Sequence, residues 1–281
     1  MRVLPTALLA SLVMTACGGG SGSADSASTT STVAEPTATS AIFEGELNAE
    51  VDIGEGRTLY VRCTGTGSPT AILEGGDDDT SASYQYALED LAAQTRTCAY
   101  DRGNLGRSSP APGPRGLAEL VSDLERLLEA ADIAGPYVLV GTSGGGFITA
   151  GYAYAHPDQV AGLVFVDTPG AVLPPSTEVV EEAAWDAPGN KEKRDYLAVE
   201  RDAWAARREI GDIPVTVISN DFGPNAPEEG LRRNVEFQQG WLVLSPRAKQ
   251  VVVQTGHAVE EAEPQLVVDA ILAVIREARA G

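Results

Sequence analysis

The chain has 281 residues, and its 40 aspartates and glutamates outnumber 20 lysines and arginines for a formal net charge of −20. Such a surface repels phosphates, which argues against nucleic acid or another polyanion as partner. The length suits one α/β domain behind an N-terminal leader.

The leader comes first. Arg2 supplies a short positive region, residues 3–14 form an apolar segment of 12 residues, and Thr15-Ala16 are small residues ahead of a cleavage point. That segment is too short to cross a membrane as a helix. Met14-Thr15-Ala16-Cys17-Gly18 resembles the bacterial lipobox, whose cysteine is linked to diacylglycerol and becomes the first residue of the mature protein. The resemblance implies a signal peptide over 1–16, a lipid on Cys17 and a protein anchored at the outer face of the bacterial cytoplasmic membrane; without the lipid it would be secreted. Residues 17–44 are dominated by Gly, Ser, Thr and Ala, which bury too little surface to offset chain entropy, so they read as a flexible tether.

From residue 45 to 281 short apolar runs alternate with amphipathic ones, the pattern of a mostly parallel sheet with helices on both faces. Eight strands are predicted, at 46–53, 58–63, 70–73, 97–100, 137–140, 163–166, 215–218 and 250–254. Helices are predicted at 83–95, 116–131, 145–155, 178–185, 191–210, 230–244 and 264–280. The helix from 116 shows the reasoning: Leu117, Leu120, Val121, Leu124, Leu127 and Leu128 fall at helical spacing, with Glu119, Asp123 and Glu125 between them.

The fifth strand breaks into Gly141-Thr142-Ser143-Gly144-Gly145, a Gly-x-Ser-x-Gly pattern between an apolar strand and a helix. There a strand turns sharply into a helix and exposes a strained serine, while the glycines leave room where strand and helix pass closely. A serine hydroxyl needs a base to act as nucleophile, and histidine is the usual one. Of the two histidines, His156 ends the elbow helix in Tyr154-Ala155-His156-Pro157, where it caps the helix at the surface. His257 follows the last strand in Gln254-Thr255-Gly256-His257, at the strand edge where ligands gather in open α/β sheets.

Leu73-Glu74-Gly75-Gly76 after the third strand, Asp101-Arg102-Gly103-Asn104-Leu105-Gly106-Arg107-Ser108 after the fourth, the elbow after the fifth and Gly256-His257 after the eighth stand in the order of one family. In these four stretches the chain resembles the α/β-hydrolase fold over 45–281. The resemblance implies an eight-stranded mostly parallel sheet with a short lid between the sixth and seventh strands, at about 168–213. It implies Ser143 as nucleophile and His257 as base, with an acid after the sixth or the seventh strand; Asp167 is favoured and Asp221 is the alternative. The other role open to Asp221 is an Asx turn in a polar loop. It implies an oxyanion hole from the amides of Gly144 and Asp77, with Gly76 in place of Asp77 as fallback, and Asp77-Asp78-Asp79 turned to solvent. Arg102 is expected to position a loop beneath the site through hydrogen bonds. Cys63 and Cys98 become neighbours on the second and fourth strands, where a disulfide is possible.

The function this implies is cleavage of a small to medium carboxylic ester, with no cofactor, no metal and a small ester-like molecule as partner. Amide, lactone or peptide cleavage and cofactor-free perhydrolysis would use the same residues, and a binding or scaffold lipoprotein that has lost activity is the alternative class. Epoxide hydrolases and dehalogenases place aspartate where Ser143 stands.

Overall fold

A computed structural model describes residues 46–170, 184–227 and 229–281. The leader, Cys17 and the tether lie outside the described residues, as does most of the helix predicted at 178–185.

All eight predicted strands form, as β1 (Leu47–Asp52), β2 (Thr58–Thr64), β3 (Thr70–Glu74), β4 (Thr97–Tyr100), β5 (Tyr137–Thr142), β6 (Val160–Val166), β7 (Val215–Asn220) and β8 (Ala248–Val253). They make one sheet in the order β1-β2-β4-β3-β5-β6-β7-β8. β1 and β2 pair antiparallel, β2 pairs antiparallel with β4, and every later pairing is parallel. Between the strands lie α1 (Gln85–Ala92), α2 (Leu117–Ala130), α3 (Gly145–Ala155), α4 (Tyr196–Ala205), α5 (Glu229–Arg232), α6 (Asn234–Gln238), α7 (Val259–Ala262) and α8 (Pro264–Ala280).

The strands β3, β4, β5 and β7 are buried at every position because both faces of the sheet are covered. Successive side chains point to opposite faces, and the two apolar cores divide accordingly. Ile72, Leu139, Leu163 and Phe165 pack with Leu120 and Leu124 of α2 and Phe147 and Ile148 of α3. Ala71, Leu73, Val138, Val140, Val164 and Val166 pack with Leu88 and Leu91 of α1 and Val267 and Ile271 of α8. In the parallel strands every chain direction is the same, so β3, β5, β6, β7 and β8 all end on one edge of the sheet. That edge gathers the loops that carry Gly76, Ser143, Asp167, Asp221 and His257.

Three helices differ from expectation. At 83–95 the chain opens with a 3-10 turn, Ser81–Tyr84, before α1. At 191–210 the helix starts only at Tyr196, capped by Asp195, which accepts from the Ala198 amide. Asn190, Glu192 and Arg194 are instead drawn into buried side-chain contacts described below, and the Arg194 backbone forms a β-bridge with Arg115. At 230–244 the expected single helix divides into α5, α6 and a 3-10 turn, Gln239–Leu244. Close packing explains part of this break: a Cβ on Gly240 would lie 2.7 Å from the Trp204 ring.

Cys63 and Cys98 face each other across β2 and β4 and form a disulfide. It ties the antiparallel edge to the parallel body across 35 residues of chain, a closure that typically contributes about 2–4 kcal/mol.

Candidate active site

The turn from β5 into α3 is packed to its limit. A Cβ on Gly141 would sit 2.5 Å from the Gly146 Cα, and one on Gly145 would sit 2.3 Å from the Gly75 carbonyl oxygen. No side chain fits either place, so strand and helix can approach only through glycine. Between them Ser143 takes φ 47°, the left-handed region that costs a non-glycine residue about 1–3 kcal/mol. The strain is held by the backbone around it, since the Ser143 amide donates to Val166 and its carbonyl accepts from Gly146.

The Ser143 hydroxyl meets the His257 Nε2 at 2.8 Å. The opposite ring nitrogen, Nδ1, lies 2.7 Å from Asp167 Oδ2. A carboxylate can only accept, so Nδ1 carries the proton and Nε2 is left to accept from the serine. His257 is held from behind by Asn220, whose Oδ1 accepts from the amides of Thr255 and Gly256 at 2.9 and 3.0 Å.

Asp167 ends β6 with φ 44° and is 2% exposed. Its second oxygen, Oδ1, accepts from the Asn220 amide at 3.0 Å, Asn234 Nδ2 at 2.8 Å and Gln238 Nε2 at 2.7 Å. Four donors including His257 thus satisfy a buried carboxylate that would otherwise be costly. Asp221 is turned elsewhere: its Oδ1 accepts from the Gly223 amide, an Asx turn, and its Oδ2 from Gln254. Of the two carboxylates open in the sequence, the geometry brings Asp167 to the imidazole. The Asp167 hydrogen bond raises the His257 pKa above the ordinary histidine value; burial opposes it, and the charges of Asp167, Glu260 and Asp77 add to the rise.

His156 ends α3, as its place in the sequence suggests. Its amide donates to Tyr152 and its ring lies 3.5 Å from Glu125.

Beneath the site runs a buried ionic chain. Arg102, 4% exposed, donates to Glu74 at 2.6 Å and to both Glu192 oxygens at 2.7 Å. It also donates to the carbonyls of Gly75 and Gly76 at 2.6 Å each. Because a trans peptide sets its C=O and N–H in opposite directions, anchoring the Gly76 carbonyl on Arg102 aims the Asp77 amide the other way. This loop lies against the elbow, where a Cβ on Gly76 would come within 3.5 Å of the Ser143 Cβ. Burial works against ionisation of Glu192, but Arg102 outweighs it and holds the carboxyl down at about 2.

The three aspartates do not all face solvent. The Asp77 carboxylate folds over the elbow, so that a Cβ on Gly144 would fall 2.0 Å from its Oδ1, and that oxygen accepts from Arg194 at 2.6 Å. Asp78 gives its amide to Glu192, and Asp79 accepts from the Ser83 hydroxyl. The pull of Arg194 keeps Asp77 inward although its side chain is 44% exposed.

Sequence reasoning missed five residues here. Glu192 and Arg194 lie in a stretch whose composition favours helix, and nothing local marks them. Asn220 ends an apolar strand, while Asn234 and Gln238 stand four apart on what is a helical face, a spacing that could have flagged two amides aimed at one target. A cleft of about 640 Å³ lined by Arg57, Arg115, Asp123 and Arg126 shares no residue with this cluster.

Comparison with known proteins agrees with this architecture. A family profile described as alpha/beta hydrolase fold matches residues 71–191. A protein of Hormonema carpetanum named "Probable transporter efuK" is 32% identical over 143 residues, 48% of this chain and 20% of that one. YqjL of Bacillus subtilis, an uncharacterized protein, is 30% identical over 103 residues, 37% of this chain and 41% of that one. The chain thus spans less than half the length of these curated relatives. Among solved structures, a thermophilic esterase from Thermogutta terrifontis superposes with a TM-score of 0.63 at 20% identity, covering 83% of this chain and 98% of the esterase. The chain has the α/β-hydrolase fold.

The charge arrangement makes a prediction that needs no substrate. In an NMR titration of the imidazole signals, Asp167→Asn should lower the His257 pKa, because the hydrogen bond and the charge that favour the protonated ring are lost together. Asp221→Asn should leave it in place; the reverse pattern would mean that the two carboxylates have exchanged parts.

Proposed function

We propose that the protein is a serine hydrolase that cleaves a small to medium carboxylic ester through an acyl-enzyme. The observation that carries the reading is the continuous chain of contacts from the Ser143 hydroxyl through the His257 ring to Asp167, at 2.8 and 2.7 Å. Such a relay lets a neutral alcohol attack at ordinary pH.

In this mechanism Ser143 Oγ bonds to the ester carbonyl carbon while its proton passes to His257 Nε2. The carbonyl π electrons move onto oxygen, and Asp167 stabilises the imidazolium. The oxyanion is received by the amides of Gly144 and Asp77, with Gly76 as the other candidate for the second donor. Collapse of the tetrahedral intermediate breaks the bond to the alkoxy oxygen, which takes the proton from His257 and leaves as alcohol. Water then gives a proton to His257 and its oxygen attacks the acyl carbon, and collapse returns the proton to Ser143 and frees the acid.

The ester preference rests on the likeness of the fold to an esterase, which is analogy and not pocket chemistry. Amide, lactone or peptide cleavage and cofactor-free perhydrolysis stay within the same relay, and a substrate panel separates them. The insert between β6 and β7 serves as a lid in this reading, as the family resemblance implies. The tether and the lipid on Cys17 place the domain at the outer face of the cytoplasmic membrane, following the lipobox resemblance.

A fluorophosphonate probe tests the core of the proposal. Native protein should be labelled at Ser143, and Ser143→Ala and His257→Ala should lose labelling and at least about a thousandfold in ester turnover while staying folded. Asp167→Asn should fall comparably and Asp221→Asn should not. Absence of labelling in folded native protein favours the inactive scaffold instead. For the anchor, Cys17→Ser should move the protein from the membrane fraction to the soluble one; a protein that stays with the membrane is held there by something else.

A further inference from the structure

The Asp77 side chain raises a problem for any reaction at Ser143. Its carboxylate rests on the α carbon of Gly144, the residue directly after the nucleophile. A full negative charge there opposes the oxyanion that the Gly144 amide would receive. The fold sets a buried cation against it. Arg194, 1% exposed, gives Nη1 to Asp77 Oδ1 at 2.6 Å and Nη2 to the Gly144 carbonyl at 2.9 Å.

The backbone that carries that guanidinium is held on several sides, while its buried Nε has no hydrogen-bond partner among the described residues. The Arg194 carbonyl accepts from Asn190 Nδ2 at 2.7 Å, and its amide donates to Asn190 Oδ1 at 3.3 Å. On either side, the Arg115 amide donates to Lys193 and the Asp195 amide donates to Arg115. The guanidinium also lies over the Tyr196 ring, 5.1 Å from its centre. Glu200 on α4, pushed up to about 7 by burial with Asp77 adding and Arg194 opposing, lies within the same field.

We propose that Arg194 is a positioning residue of the oxyanion hole. It neutralises Asp77 and fixes the Asp77 loop against Gly144, so that the insert between β6 and β7 completes a site whose nucleophile and base come from the sheet edge. It does not touch the substrate; it acts through the two residues that do. This rests on the hydrolase reading above.

The test compares ester turnover in Arg194→Met, Arg194→Lys and the pair Arg194→Met with Asp77→Asn, with folding followed by circular dichroism. Arg194→Met should lower kcat about a hundredfold with KM within about threefold, the size of effect seen when an oxyanion donor is lost. Removing the stranded charge in the double variant should restore at least about tenfold of that loss, which a role confined to packing would not do. Arg194→Lys keeps the charge but cannot span both partners, and should lose about tenfold in kcat. Should Arg194→Met not fold, Arg194→Lys carries the test alone, and parent-like kcat there overturns the inference. So does turnover within threefold of the parent in folded Arg194→Met, or no recovery in a folded double variant. Ser143→Ala run beside them keeps the two claims apart: if it abolishes turnover while Arg194→Met does not, only the inference fails, whereas turnover that survives Ser143→Ala ends both.

Discussion

The close approach of β5 and α3 governs everything that follows at this sheet edge. Only a strand and helix that nearly touch, with the Gly146 Cα 2.5 Å from where a Gly141 Cβ would be, can push the intervening residue into the left-handed region and out of the sheet. That residue is Ser143. Its strain of about 1–3 kcal/mol is sustained by two buried apolar layers that hold strand and helix in place. The same crowding fixes the neighbours: Gly144 lies beneath Asp77, Gly145 against the β3 loop and Gly146 against Thr168. The exposed serine, the helix N-terminus and the glycine loop thus share one steric cause.

Around that turn the protein holds buried carboxylates by two different means. Asp167 receives hydrogen bonds from uncharged donors and one imidazole, so its charge is available to bias the ring. Glu192 is matched by Arg102 directly, which makes it part of a scaffold with Glu74 under the β3 loop. Removing either partner of such a buried pair typically costs about 3–5 kcal/mol because the other is left uncompensated. The residues from the insert, Glu192 and Arg194, therefore join the site to the rest of the fold.

What the sequence disclosed and what it hid follow from the range of the forces involved. Seven strands were legible because each carries an apolar run closed by glycine, proline or a polar residue, β1 because Leu47 to Asp52 alternate apolar and polar, and α3 and α8 because their boundaries are set locally. Ser143 and His257 were legible because a glycine-flanked serine and a histidine after a strand leave few alternatives in a chain with two histidines. The choice between Asp167 and Asp221 was not, because it depends on which way a side chain turns; Gly223 draws Asp221 into a local turn, and no spacing rule reports that. Residues 191–194 were read as helix since Lys, Glu and Arg favour one, yet tertiary ion pairs of Glu192 with Arg102 and of Arg194 with Asp77 override the propensity. The inward turn of Asp77 was hidden for the same reason, its partner lying 117 positions away.

The account stands on covalent participation of the serine, and an acid-quenched reaction with a short-chain nitrophenyl ester examines it most directly. Mass spectrometry of the digested protein should find one acyl group, on the peptide that contains Ser143, and none in Ser143→Ala. Steady turnover by folded protein without any such adduct, and undiminished in Ser143→Ala, would contradict it.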